Sequence, residues 1–159
     1  MIPPTCTRRI QFCAGHRVQG HENKCRNLHG HNYVVFITAC GMLDDLGRVI
    51  DFGVIKEKVG GWIDENWDHG FVLGEDDHQA RAVIGGMVGQ KLYIMPHNPT
   101  AEWMADFLLY DVCPDVLDGT GVRVDKVVLW ETENCYATAE HGGNGTIPEW
   151  QDMVEETGA

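Results

Sequence analysis

Three histidines in two short stretches carry the most chemistry in this chain. His16 closes Phe12-Cys13-Ala14-Gly15-His16, and His29 and His31 end Cys25-Arg26-Asn27-Leu28-His29-Gly30-His31. His29 and His31 stand two residues apart at what reads as the start of a strand, so both rings can point to one face. If the apolar run ending in His16 pairs with that strand, three imidazoles converge as a zinc site with an open fourth position requires. Cys25 then lies beside the metal without having to ligate it. It sits between Lys24 and Arg26 in a polar loop, and two flanking cations favour the thiolate, the form that can take a proton. The competing reading is a closed structural site of three histidines and one cysteine, with Cys25 as the fourth ligand, and the residues leave both open. Lys24 and Arg26 could also supply local positive charge to an anionic substrate, although loop solvation accounts for either one alone.

Asp68-His69 follows a helical stretch. A carboxylate can fix the tautomer of a histidine that moves a proton, but a histidine at a helix C-terminus also answers the helix dipole. The residues alone favour the second reading. Glu131, in Trp130-Glu131-Thr132, is a carboxylate in an otherwise apolar strand. Burying it is costly unless it is paired, so it either contacts a ligand through both oxygens or lies on an exposed strand face. His21, His78, His97 and His141 lack comparable partner spacing and are assigned to solvent. Cys13 and Cys40 stand in apolar runs, where a free thiol behaves as a small hydrophobe.

The elements that must position these groups follow from periodicity. Residues 5–16 read as a strand with Ile10, Phe12 and Ala14 on one side, followed by a polar loop over 17–30 long enough to be functional. A second strand covers 33–42. Asp51 caps a helix reaching about Asn66, with Val54, Ile55, Val59, Trp62 and Ile63 at helical spacing and Gly60-Gly61 weakening it. The stretch 74–96 is acidic, then Gly-rich, then strand-like at 92–94. Asn98 or Thr100 caps a second helix to about Val112 that buries Trp103, Phe107 and Leu108. Two more strands cover 122–132 and 136–140. The order predicts an α+β domain over 1–141, with a four-stranded antiparallel sheet carrying two helices on one face. Its open edges invite pairing with other subunits. The Gly-rich, acidic stretch 142–159 is expected to be a flexible tail.

The chain has 159 residues, 43% hydrophobic, with 12 Lys+Arg against 24 Asp+Glu and a net charge of −12. That balance argues against a nucleic-acid partner, which needs a basic face, and makes any anionic small substrate depend on a local island of cations. No apolar run approaches a membrane span, and residues 1–9 lack the layout of a signal peptide. The six cysteines follow no tight framework, so reduced thiols and a cytoplasmic location are expected.

Taken together, Phe12-x-Ala14-x-His16, Cys25-x-x-x-His29-Gly30-His31, Asp68-His69, Asn98-Pro99-Thr100-Ala101-Glu102 and Glu131-Thr132 resemble the 6-pyruvoyl-tetrahydropterin synthase and 6-carboxy-tetrahydropterin synthase family, in its order and over roughly residues 8–137. The resemblance implies the tunnelling fold, a ββααββ unit whose sheets join into a barrel across subunits. It also implies trimers pairing into hexamers, with active sites at the interfaces. It implies zinc held by His16, His29 and His31, Cys25 as the proton-abstracting thiolate and Asp68 with His69 as a relay for the other proton. Glu131 would anchor the guanidine-like edge of a pterin, with the Thr100 region and Thr132 contributing. This reverses the reading of Asp68-His69 and Glu131 from residue type alone. The substrate implied is 7,8-dihydroneopterin triphosphate. The pyruvoyl branch eliminates triphosphate and keeps every side-chain carbon; the carboxy branch, in queuosine and deazapurine biosynthesis, also cleaves a C–C bond and releases acetaldehyde. Three residues separate Cys25 from His29, the spacing of the carboxy branch. Residues 75–96 are longer than in the shortest members, and the acidic tail has no counterpart. The rival classes are a non-catalytic zinc-binding oligomer on the same scaffold and a zinc hydrolase, for which no His-Glu-x-x-His helix is present.

Overall fold

Strands β1 (Thr5–His16) and β2 (His29–Cys40) pair antiparallel along their whole length, from Thr5 opposite Cys40 to His16 opposite His29. Strand alternation puts Ile10, Phe12, Ala14 and His16 on one buried face with Tyr33, Val35 and Ile37. The computed structural model behind this description covers residues 3–141, so the stretch 142–159, expected to be a tail, lies outside the described residues.

Two further strands lie outside the expected sheet. β3 (Gly70–Gly74) and β4 (Leu92–Met95) run parallel to β1 and extend the sheet beyond it. With β5 (Arg123–Thr132) and β6 (Cys135–Glu140) the order is β4-β3-β1-β2-β5-β6. The expected four-stranded antiparallel sheet is therefore a six-stranded mixed one, in which β1, β2, β5 and β6 are the antiparallel part. The cause is visible in β3. Val72 joins the main core and Leu73 a second cluster with Ala80 and Ile84, so the strand is apolar on both faces and shows no alternation to read.

Helix α1 covers 52–66, capped by Asp51, whose side chain accepts from the Gly53 N–H at 2.7 Å. Its middle, Lys56–Gly60, is wound as a π-helical segment at the Gly60-Gly61 pair. Ile55, Val59 and Ile63, with Trp67 just beyond, are fully buried, each contributing roughly 1.5–3 kcal/mol for an aliphatic side chain. Helix α2 (His78–Gly85) connects β3 to β4, the crossover that parallel strands need. It packs on Leu73, on the other side of the sheet from the main core, so only two of the three helices share one face. Helix α3 covers 101–116 and starts at Thr100, whose hydroxyl accepts from the Trp103 N–H at 3.2 Å; Thr100, not Asn98, is the cap. Leu108 is buried as expected, but Trp103 is 42% exposed and stacks on His97 with ring centroids 3.7 Å apart. No described helix is long and apolar enough to cross a membrane.

Candidate active site

The antiparallel register sets His16 directly opposite His29, with His31 two residues further along the same face. The three ligand nitrogens lie within 4.8 Å of one another. Two backbone carbonyls choose their tautomers. His16 Nδ1 lies 2.7 Å from Pro99 O, and His29 Nδ1 lies 2.6 Å from Asn27 O. A carbonyl only accepts, so each Nδ1 carries the proton and each Nε2 bears a bare lone pair. Those two Nε2 atoms are 3.1 Å apart. Burial, assisted by His29 and His31, pushes the His16 imidazolium down to about 4, against the raising effect of Pro99 O. Neutral, 1% exposed His16 thus faces a second lone pair, an arrangement that repels until a cation lies between the rings. Nitrogens bound to a tetrahedral zinc at 2.0–2.1 Å stand about 3.3–3.4 Å apart. His31 Nε2 is buried and has no hydrogen-bond partner among the described residues. Three imidazoles whose Nε2 atoms converge fit a divalent metal of the zinc type.

Glu131 stands at the edge of this cluster. Two residues on from buried Leu129, it continues the core-facing register of β5, and its Oε1 lies 3.3 Å from His31 Nε2 without hydrogen-bond alignment. Burial lowers the His31 imidazolium, and the Glu131 charge partly offsets this. Beneath them Tyr33 is fully buried, its hydroxyl 3.3 Å from His16 Nδ1; burial first and Glu131 second raise its ionisation far above the usual range.

Asp68 and His69 form the second cluster, at the turn between α1 and β3. Asp68 Oδ1 accepts from the Cys13 N–H at 2.9 Å, and Oδ2 lies 2.8 Å from His69 Nδ1. The His69 N–H donates to Cys13 O at 2.7 Å. Partial burial would raise the Asp68 carboxyl, but the Cys13 N–H and the His69 ring outweigh it and hold it below its ordinary value. His69 has φ +57°, the one positive value at a non-glycine among the described residues, and its side chain is 77% exposed. Its ring is oriented by a carboxylate, which a helix dipole alone does not require.

Two adjoining grooves connect the clusters. One, of about 430 Å³, is lined by His29, His31 and His69 together with Cys13, Phe71 and Gln90. The other, of about 740 Å³, reaches Trp130, Glu131 and Thr132 and shares Gly30, His31 and Asn32 with the first. Gly15 lets the Phe71 ring lie against the backbone of β1 beside the first groove: a Cβ there would come within 2.5 Å of that ring.

Other expected site residues are placed differently. Cys25 lies on a single 3₁₀ turn, Lys24–Arg26, with its carbonyl accepting from the Val18 N–H at 2.8 Å. It belongs to neither ligand cluster, so within one chain it is not the thiol beside the relay. Cys13 is, its Sγ grouped with Asp68 and His69 within 4.8 Å. The expectation that Cys13 is merely a small core hydrophobe fails because it points to the face opposite Phe12 and Ala14. Lys24 and Arg26 are exposed. The Thr100 hydroxyl is committed to its helix cap, and Thr132 Oγ1 accepts from the Asn134 N–H at 3.1 Å in the β5–β6 turn. Asn98 has a role that its motif did not announce: its side chain bonds both Gln19 N (3.2 Å) and Gln19 O (3.0 Å), pinning the 17–28 loop.

Fold and site together define a chain of the 6-pyruvoyl tetrahydropterin synthase family: that family's model matches residues 5–142, and the chain belongs to it. It is 48% identical over 132 residues to the 6-carboxy-5,6,7,8-tetrahydropterin synthase of Rickettsia felis, covering 82% of this chain and 96% of that one. It is 34% identical over 154 residues to the enzyme of the same name from Aquifex aeolicus, at 82% and 94% coverage. Among solved structures its fold is similar to an uncharacterized protein from Wolinella succinogenes, with TM-score 0.76, 22% identity and coverage of 89% and 100%. It is also similar to the Caenorhabditis elegans 6-pyruvoyl tetrahydropterin synthase, with TM-score 0.62, 22% identity and the same coverage.

Proposed function

We propose that this chain is a zinc-dependent lyase that converts 7,8-dihydroneopterin triphosphate and one water into 6-carboxy-5,6,7,8-tetrahydropterin, acetaldehyde and triphosphate. The observation that carries the reading is the pair of bare Nε2 atoms 3.1 Å apart, beside the orphaned His31 Nε2 and the Glu131 carboxylate. His16, His29 and His31 would hold the zinc, which when bound supplies Lewis-acid polarisation of the substrate's side-chain hydroxyls. Glu131 accepts paired N–H bonds from the guanidine-like edge of the pterin, the charge-assisted kind that fixes orientation. Asp68 keeps the proton of His69 on Nδ1, leaving Nε2 as the atom that gives or takes a proton.

Cys25 removes the proton from the side-chain carbon. Membership of a family whose sites are expected at subunit interfaces supports a site completed by residues of more than one subunit. The reading therefore includes a homo-oligomer, trimers pairing into a hexamer with their sheets joined into a barrel. The available edges suit this: β3 pairs only with Ala14–His16, which leaves the outer edge of residues 5–12 of β1 without a strand partner among the described residues. Lys24 and Arg26, exposed on the same turn as Cys25, offer local charge to the triphosphate in a chain of net charge −12. The names of the curated relatives support the carboxy product, and the unpaired thiols suit a cytoplasmic location. The test is product analysis with 7,8-dihydroneopterin triphosphate. Acetaldehyde with 6-carboxytetrahydropterin supports the reading, triphosphate with a 6-pyruvoyl product assigns the other branch, and no turnover by zinc-loaded oligomer leaves a non-catalytic binding protein.

A further inference from the structure

We propose that Lys91 is a positioning residue for the His69 relay, holding the turn that presents the imidazole by bonding the carbonyls on its approach. The proposal rests on the reading that His69 moves a proton in the reaction.

Lys91 belongs to the 75–96 stretch, which supplies none of the motifs discussed above. It immediately precedes β4, and Lys91 O accepts from the Phe71 N–H of β3 at 3.1 Å. From there its Nζ donates to Asp64 O and to Asp68 O, both at 2.7 Å, across 27 and 23 residues of sequence. Asp64 lies in the last turn of α1 and Asp68 immediately precedes His69. One ammonium thus ties the carbonyl end of the helix to the peptide that leads into the left-handed residue. Cationic side chains suit such helix ends, where carbonyls are unmatched and the dipole is negative.

The turn needs such a tie. A non-glycine residue at φ +57° is sterically disfavoured and persists only where its surroundings determine it. Backbone contacts hold it, the His69 N–H to Cys13 O and the Gly70 N–H to Trp67 O at 3.0 Å. Two side chains add to them: the Asp68 carboxylate bonds the Cys13 N–H and the His69 ring, and Lys91 Nζ bonds Asp68 O. Gly70 keeps that approach open, because a Cβ there would meet the Lys91 stem at 2.8 Å. Lys91 bonds neither the His69 ring nor the Asp68 carboxylate; it acts through the backbone carbonyls, and its charge also favours the Asp68 carboxylate.

The test compares wild type, Lys91→Met, which keeps the stem and loses the donors, and Lys91→Arg, which keeps charge and donors. Lys91→Met should lower kcat about 10- to 100-fold, the scale set by small misplacement of a reacting group, with KM within about twofold. Metal content and melting temperature should stay at wild-type values, and Lys91→Arg should regain most of the rate. In the metal-loaded oligomer, the ¹⁵N resonances of the His69 ring should report the Nδ1–H tautomer in wild type and a mixture in Lys91→Met. Unchanged kcat or an unchanged His69 tautomer in Lys91→Met overturns the proposal, as does a rate loss matched by loss of metal or of thermal stability. Absence of product with wild type refutes the proposed function instead, and the tautomer measurement still decides the role of Lys91.

Discussion

At the scale of residues, the facing lone pairs of His16 and His29 make the strongest demand. Without a cation they repel; with one they become ligands, and either ring removed breaks the set. His29→Ala should strip the metal and abolish turnover, checked by elemental analysis; a full complement of metal in that variant rules out the site. Cys25→Ala should keep the metal and lose the chemical step, whereas loss of metal along with activity would indicate the closed site in which the thiolate is the fourth ligand. Glu131→Gln replaces an acceptor oxygen by a donor, so the affinity for a pterin such as sepiapterin should fall by about 1.5–3 kcal/mol, the range for a hydrogen bond to a charged group. Calorimetric titration that gives equal affinities would remove Glu131 from the binding site. The histidine set was legible in the residues themselves, because His-x-His spacing and one opposing strand suffice to bring three rings together. The place of Cys13 beside Asp68 was not, since the thiol sits in an apolar run and only a contact 55 residues away brings it to Asp68.

At the scale of elements, the β3–α2–β4 extension braces the strand that ends in His16. Arg17 donates from Nε to Asp77 Oδ2 at 2.6 Å and from Nη2 to Oδ1, while Asp77, 1% exposed, also accepts from the Ala80 N–H to cap α2. Removing the carboxylate with Asp77→Ala leaves the guanidinium half-buried and unpaired and should cost about 3 kcal/mol in urea unfolding. The Arg17 hydrogen bonds hold the Asp77 carboxyl below its ordinary value, against its burial. A depressed folded-state value means stability that is fully present above the unfolded-chain pKa of about 3.9 and is lost as pH falls through the folded one. The stability gap between wild type and Asp77→Asn should therefore be full at pH 7 and shrink below about pH 4; an equal gap at pH 3 would refute the linkage. Alternation exposed β1 and β2 in the sequence, and helical spacing exposed α1 and α3. β3 and α2 escaped because one is apolar on both faces and the other is only eight residues long.

At the scale of the whole molecule, His29, His31, Cys13 and His69 line one groove, a second adjoins it at His31, and the proposed function has the site completed across subunits. Activity should accordingly belong to an assembly of the 17.8 kDa subunit and fall on dilution below its dissociation constant. Sedimentation analysis at assay concentrations checks this, and a fully active monomer would overturn a site completed across subunits.

By itself the sequence determined that His16, His29 and His31 converge, the carboxylate of Glu131 on its strand, the two long helices and the four antiparallel strands. Each of these rests on periodicity or spacing within a short window, where backbone geometry dictates which side chains share a face. Tertiary structure alone decided which nitrogen of His16 is bare, through the carbonyl of Pro99 83 residues away. It also decided that a parallel extension lengthens the sheet and that Lys91 reaches the His69 turn across 23 residues. A hydrogen bond closed over such a distance leaves no periodic trace in the chain, because it depends on where whole elements come to rest.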